Sequence, residues 1–208
     1  MIKQRKEMIA NFPDHDKIAS LLSFAESNGA SKAARISPAS IHIENRLAAF
    51  CRSPKCPNYG LSMSCPPNVS GPAGFRKLVD MSSHAIVIRI EIDGDSLHGE
   101  QRPEVMRLLH EITAAVENEA KRIGYSYSRS FAGGSCKMSF CAEHKQCRVV
   151  AGGGPCRHPE SARPSMSGYG INVGDLMKEA GWSTDLFPPR DADGGEQLAW
   201  VAGLVLLL

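Results

Sequence analysis

The chain has 208 residues, 42% of them hydrophobic and 22% charged, with a net charge of +2. These values describe an ordinary globular protein with room for one domain, 1–208. So small a net charge gives no reason to expect a nucleic-acid or membrane partner, and the apolar C-terminal stretch 198–208 is too short to span a bilayer.

Residues 14–28 read as a helix: Ile18, Leu21, Leu22 and Ala25 share one face, Asp14 can cap the start, and Gly29 follows. A short strand is expected at 41–43, then a helical turn at 46–50. The stretch 53–74 is rich in Pro, Gly, Asn and Ser and reads as a long ordered loop. A short helix is expected at 75–80. Ile86, Val87, Ile88, Ile90 and Ile92 then mark the clearest strand, ended by Asp93-Gly94. The longest helix runs over 102–123, with Val105, Leu108, Leu109, Ile112, Val116, Ala120 and Ile123 as its apolar stripe. Residues 125–131 alternate as a strand, 172–180 form a helix, and the C-terminus supplies one or two further strands. The expected class is α/β (α+β): a single-domain sandwich with a mixed sheet and two cysteine-rich loops, at about 51–67 and 133–166.

The seven cysteines fall in two groups and nowhere else. Cys51, Cys56 and Cys65 form C-x4-C-x8-C, followed by Pro66-Pro67. Cys136, Cys141, Cys147 and Cys156 form C-x4-C-x5-C-x8-C, followed by Arg157-His158-Pro159. Thiols that merely fill core gaps should scatter, whereas clustered thiolates on loops are what a soft metal needs. The odd number argues against a full disulfide framework. The charged N-terminus has no apolar run after it, so a cytoplasmic, reducing compartment is expected.

Structural zinc favours short knuckles such as C-x2-C, and none occurs here. Wide, uneven spacings followed by Pro suit an iron–sulfur cluster better. The four cysteines of the second group form a complete ligand set. The first group is one thiolate short, leaving a position for a non-cysteine residue, water, a substrate or a ligand from a partner. Arg52, Lys55, Arg76 and Lys77 flank the first group, and Lys137, Lys145, Arg148, Arg157 and Arg163 outnumber Glu143 and Glu160 around the second. Positive charge favours thiolate and stabilises an anionic cluster. His158 and His144 either ligate metal, hydrogen-bond a cluster, or serve only to shape the loop. Arg163 and Ser165 either bind an anionic ligand or hold the loop by hydrogen bonds. Arg157, His158 and Arg163 are therefore the candidate cofactor-binding residues. His42, His84, His98 and His110 are read as surface or core residues with no metal role.

The run Phe131-Ala132-Gly133-Gly134-Ser135-Cys136, then Cys147, Pro155-Cys156-Arg157-His158-Pro159-Glu160, Ala162-Arg163-Pro164-Ser165-Met166 and Gly170-Ile171-Asn172-Val173, is similar to an uncharacterised family of predicted metal-binding proteins, domain of unknown function 2284. Cys56-Pro57, Tyr59-Gly60 and Cys65-Pro66-Pro67 resemble its N-terminal motif. The resemblance implies metal binding, iron–sulfur in type, in the cytoplasm, and supplies no reaction. Where an acidic residue is expected after Met166 the chain has Ser167, so no carboxylate role is carried over. Three functions follow. The first is an iron–sulfur protein with one or two [4Fe–4S]-type clusters that passes electrons to a partner enzyme. The second is an enzyme using a three-cysteine cluster with an open iron. The third is a zinc-stabilised interaction module.

Overall fold

A computed structural model describes residues 14–52, 56–186 and 198–208. Its frame is a four-stranded sheet: β1 (Lys32–Ile36), β2 (His84–Asp93), β3 (Arg129–Phe131) and β4 (Leu198–Leu207). The order is β1-β2-β4-β3, and every pairing is antiparallel. The expected mixed sheet is thus corrected. The C-terminal strand enters between β2 and β3 and runs against both, pairing with β2 from His84↔Leu207 to Asp93↔Leu198.

That central place explains why β4 is apolar throughout: a strand covered on both faces has no solvent side to alternate with. Ile86, Ile88, Val201 and Val205 meet Ile18, Leu21 and Ala25 of α1 (Asp14–Ser27) and Leu109, Ile112, Val116 and Ala120 of α5 (Arg102–Arg122). Leu108, counted in the α5 stripe, lies outside that contact and is largely exposed. On the opposite face Ala85, Val87, Leu204 and Leu206 meet Phe75 of α3 (Gly71–Met81) and Leu176 and Met177 of α7 (Val173–Glu179). The result is helix, sheet, helix in layers. Gly203 lets α5 approach β4: a Cβ there would stand 2.2 Å from Thr113 Cγ2.

The remaining elements are short: α2 (Asn45–Ala49), α4 (Gly94–His98), α6 (Cys136–Phe140) and 3-10 turns at Pro38–Ser40 and Met166–Tyr169. Several expectations are corrected. Residues 41–43 form no strand, only a bridge from Ile43 to Ile171. The first strand is Lys32–Ile36 instead, which its polar KAARI sequence conceals. The strand expected over 125–131 shrinks to Arg129–Phe131, and the helix expected at 75–80 begins at Gly71. Helices α4 and α6 were not anticipated. Among the described residues one strand, β4, follows α7. No helix among the described residues is long and apolar enough to cross a membrane.

Candidate metal centre

Both cysteine loops hang from the same part of the frame. Helix α2 leads into Cys51, and Arg76 of α3 braces it by donating to Ile43 O (3.1 Å) and Asn45 Oδ1 (3.4 Å). The second loop starts and ends at one point: Ala132 N–H donates to Pro164 O (2.9 Å) and Met166 N–H donates to Ala132 O (3.0 Å). Beyond it, Tyr169 packs edge-on against Phe131 at 5.1 Å and tilted against Phe75 at 5.4 Å, contacts worth about 0.5–1.5 kcal/mol each beyond burial. Gly170, at φ 73°, accepts Glu44 N–H on its carbonyl at 2.7 Å. A Cβ at Gly170 would lie 2.4 Å from Glu44 O, so this link between the two loops requires glycine.

The loops then interleave. Ser165 N–H donates to Ser64 O at 2.8 Å. Ser62 Oγ lies 2.9 Å from Ser64 Oγ and 3.5 Å from Ser135 Oγ. Ser64 Oγ stands 3.7 Å from Cys65 Sγ and accepts Cys136 N–H at 3.3 Å. Cys51 stands within electrostatic reach of Cys56 and Cys65, Cys136 of Cys65 and Cys156, and Cys141 of Cys156. A cleft of about 540 Å³ opens beside Cys51, Cys56 and Cys65, with Gly134, Ser135 and Arg102 also on its wall.

Electrostatics separate the thiols. Burial raises the pKa of Cys51, and repulsion from Cys56 and Cys65 adds to it. Burial also raises Cys136 and Cys141, against the pull of Ser64 and Ser62 on the first and of Arg157 on the second. Cys147 goes the other way. Its burial is outweighed by hydrogen bonds from the backbone of Val150, Met63 and Val149 and by the Arg157 charge, so its thiol titrates below the ordinary value. A lowered pKa favours the thiolate, which is the state that ligates metal. Lys137 is nearly buried in the same loop and donates to Cys141 O and His144 O, both at 2.6 Å.

The donor chemistry fits a soft metal. Among the described residues no three His, Cys, Asp or Glu side chains are placed to hold one metal ion. Cys51, Cys56 and Cys65 line the cleft described above, and Cys147 lines a separate one of about 300 Å³.

The other expected site residues take different positions. Arg157 faces the second group, its charge acting on Cys141 and Cys147 and its guanidinium donating to Gln146 O at 3.4 Å. His158 stacks on Phe140 at 5.3 Å, and its backbone N–H donates to Cys156 Sγ at 3.4 Å. Arg163 turns inward: Nε donates to Glu117 Oε2 (2.8 Å) and Ser130 Oγ (3.0 Å), and Nη1 to Pro159 O (3.1 Å) and Ala162 O (3.0 Å). This buried pair ties the end of the second loop to α5. His144 contacts Glu143 at 3.3 Å and stays half-exposed. Lys55 lies outside the described residues. Sequence reasoning missed Glu117, which also binds Lys121. The Glu117–Lys121 spacing of four looks like an ordinary surface helix pair. It missed the serine relay as well, because Ser62 and Ser64 lie about seventy residues before Ser135 in the sequence and nothing in their spacing pairs them.

A family model described as a predicted metal-binding protein, DUF2284, matches residues 34–207. The chain belongs to the DUF2284 family. The match takes in both loops and all seven cysteines and leaves out α1. No curated protein and no solved structure matches the chain. Metal binding is therefore the function that DUF2284 membership predicts, and the type of metal is a matter for the chain's own chemistry.

Proposed function

We propose that this DUF2284 protein is an iron–sulfur protein of a reducing compartment that exchanges electrons with a partner protein. The observation that carries the reading is the setting of Cys147, whose sulfur receives hydrogen bonds from three backbone N–H groups beside the Arg157 charge. Such a shell costs the protein something unless the sulfur is anionic, and it offsets the negative charge of a cluster ligand. A bound cluster would supply a one-electron redox centre. The chain's own residues hold and surround it. The serine relay fixes Cys65 and the backbone at Cys136, and Lys137 fixes the carbonyls of Cys141 and His144.

Partner contact has a surface to use. Phe50, Leu61, Met63, Met138 and Val150 are exposed, and all lie in or beside the cysteine loops. Exposed apolar side chains gathered at a functional edge mark an interaction site. Docking there would bring a partner's redox centre close to the thiolates.

The test is anaerobic purification with assay of iron, acid-labile sulfide and zinc, and a visible spectrum before and after dithionite. Brown protein that bleaches on reduction is expected. Colourless protein with stoichiometric zinc would sink the electron-transfer reading. Cys147→Ser should remove iron from the second loop, and unchanged iron would make Cys147 a spare thiol.

A further inference from the structure

The seven thiols divide as three and four along the chain. In space the boundary falls elsewhere. We infer that Cys136 completes the set begun by Cys51, Cys56 and Cys65, so that the set one thiolate short is Cys141, Cys147 and Cys156. The inference rests on the iron–sulfur reading above and concerns which thiols share a cluster.

Three observations carry it. A single hydroxyl, Ser64 Oγ, touches Cys65 Sγ at 3.7 Å and accepts Cys136 N–H at 3.3 Å. Residues Gly134 and Ser135, which lead directly into Cys136, form part of the wall of the cleft that holds Cys51, Cys56 and Cys65. The first turn of α6 then separates its two leading residues. Cys136 meets the first loop, while Lys137 reaches into the second loop to bind Cys141 O and His144 O, both at 2.6 Å.

The consequence is a change in where an exchangeable ligand can bind. With Cys136 in the first set, Cys51, Cys56, Cys65 and Cys136 would together hold a closed cluster at the cleft beside Cys51. The open position moves to the second loop, where Cys147 lines a separate cleft of about 300 Å³ with Lys145, Gln146, Gly60 and Leu61.

Two multiple variants, reconstituted anaerobically with ferrous iron and sulfide, test the partition. The variant Cys141→Ser/Cys147→Ser/Cys156→Ser keeps Cys51, Cys56, Cys65 and Cys136. It should hold about four irons per chain, and adding Cys136→Ser should lower that content and make the reduced cluster's electron paramagnetic resonance signal respond to cyanide. The variant Cys51→Ser/Cys56→Ser/Cys65→Ser should give only a cyanide-responsive, iron-poor centre. The reverse pattern overturns the inference. Because either variant could misfold, the full wild-type chain is also loaded with one cluster's worth of iron, alkylated and mapped by mass spectrometry. Protection of Cys136 together with Cys51, Cys56 and Cys65 supports the inference, and protection together with Cys141, Cys147 and Cys156 overturns it. Wild-type protein that takes up no cluster overturns the iron–sulfur reading itself and this inference with it, whereas a loaded wild type with the reverse partition overturns the inference alone.

Discussion

His110 is completely buried, 0% exposed, and shows how closely the second loop depends on α5. Its Nδ1 accepts Arg163 N–H at 3.1 Å, so the ring must be neutral at that nitrogen, and it makes a T-shaped contact with the Phe140 ring at 5.6 Å. Burial, and then the Arg163 charge, lower its pKa from 6.5 to about 4. A base whose folded value is depressed binds fewer protons folded than unfolded, so it supports the fold fully above its unfolded value and less as pH falls. Between pH 6.5 and about 4 the unfolded chain takes up the proton that the folded chain refuses. Wild-type stability should therefore drop by about 2 kcal/mol between pH 7 and pH 5 from this group alone. Thermal unfolding across that range should show a smaller drop for His110→Gln, and identical pH profiles would show that the ring does not titrate this way. Lys137 allows a second prediction. Lys137→Met keeps the apolar stem but removes the ammonium that Cys141 O and His144 O accept from, leaving two carbonyls short of a donor at a cost of about 1–3 kcal/mol. The variant should lose iron from the second loop, read as iron per chain. Full iron content would mean that the loop holds its shape without it.

At the scale of elements, the contact between α5 and β4 is set by one missing side chain. A methyl group at Gly203 would enter the space of Thr113 Cγ2, and Thr113 cannot turn away freely because Oγ1 donates to Leu109 O (2.9 Å) and His110 O (3.0 Å). Gly203→Ala should cost about 1–3 kcal/mol, the range for overpacking a filled core. Thr113→Ser removes the clashing methyl and keeps the hydroxyl, so the double variant should recover most of the loss in denaturant unfolding; simple additivity would deny that these two atoms are the contact. The elements legible in the sequence are those whose own periodicity meets a core: α1 and α5 on one face of the sheet, β2 and β4 at its centre. Those that stayed hidden depend on partners far along the chain. β1 takes its strand form from pairing with β2, as in Lys32↔Arg89 and Ile36↔Ala85, and its polar residues carry no alternation of their own. Ile41 and Ile43 look like a strand, but Ile41 is buried against α3 and its neighbours while only Ile43 makes a bridge. The direction of β4 was equally invisible, since an apolar run reads the same parallel or antiparallel.

For the whole molecule, spacing along the chain identified the seven thiols but not their neighbours in space, because the Ser62–Ser64–Ser135 relay joins loops separated in sequence by α3, β2, α4, α5 and β3. That arrangement divides the chain into two parts of unequal independence. The sheet and its two helical layers bury residues such as Leu21, Phe75, Ile88, Leu109, Leu176 and Leu204 completely, with no contribution from a cysteine. The loops 56–70 and 133–164 bury few large apolar groups and are held mainly by hydrogen bonds and by the Glu117–Arg163 pair. A bound metal adds its binding free energy to whatever part of the fold forms its site, and stability is not uniform across a structure. Removing metal from the loaded protein should therefore loosen the loops while the sheet persists. Hydrogen exchange after treatment with an iron chelator should show lost protection at Met63, Cys136, Val149 and Val150, and little change along β2, β4 and α5. Met63 is the informative amide, because it donates from the first loop to Cys147 in the second. If it loosens together with Val149 and Val150, the two loops respond as one metal-dependent unit. If protection falls equally in β2 and β4, metal supports the whole fold and the division argued here is wrong.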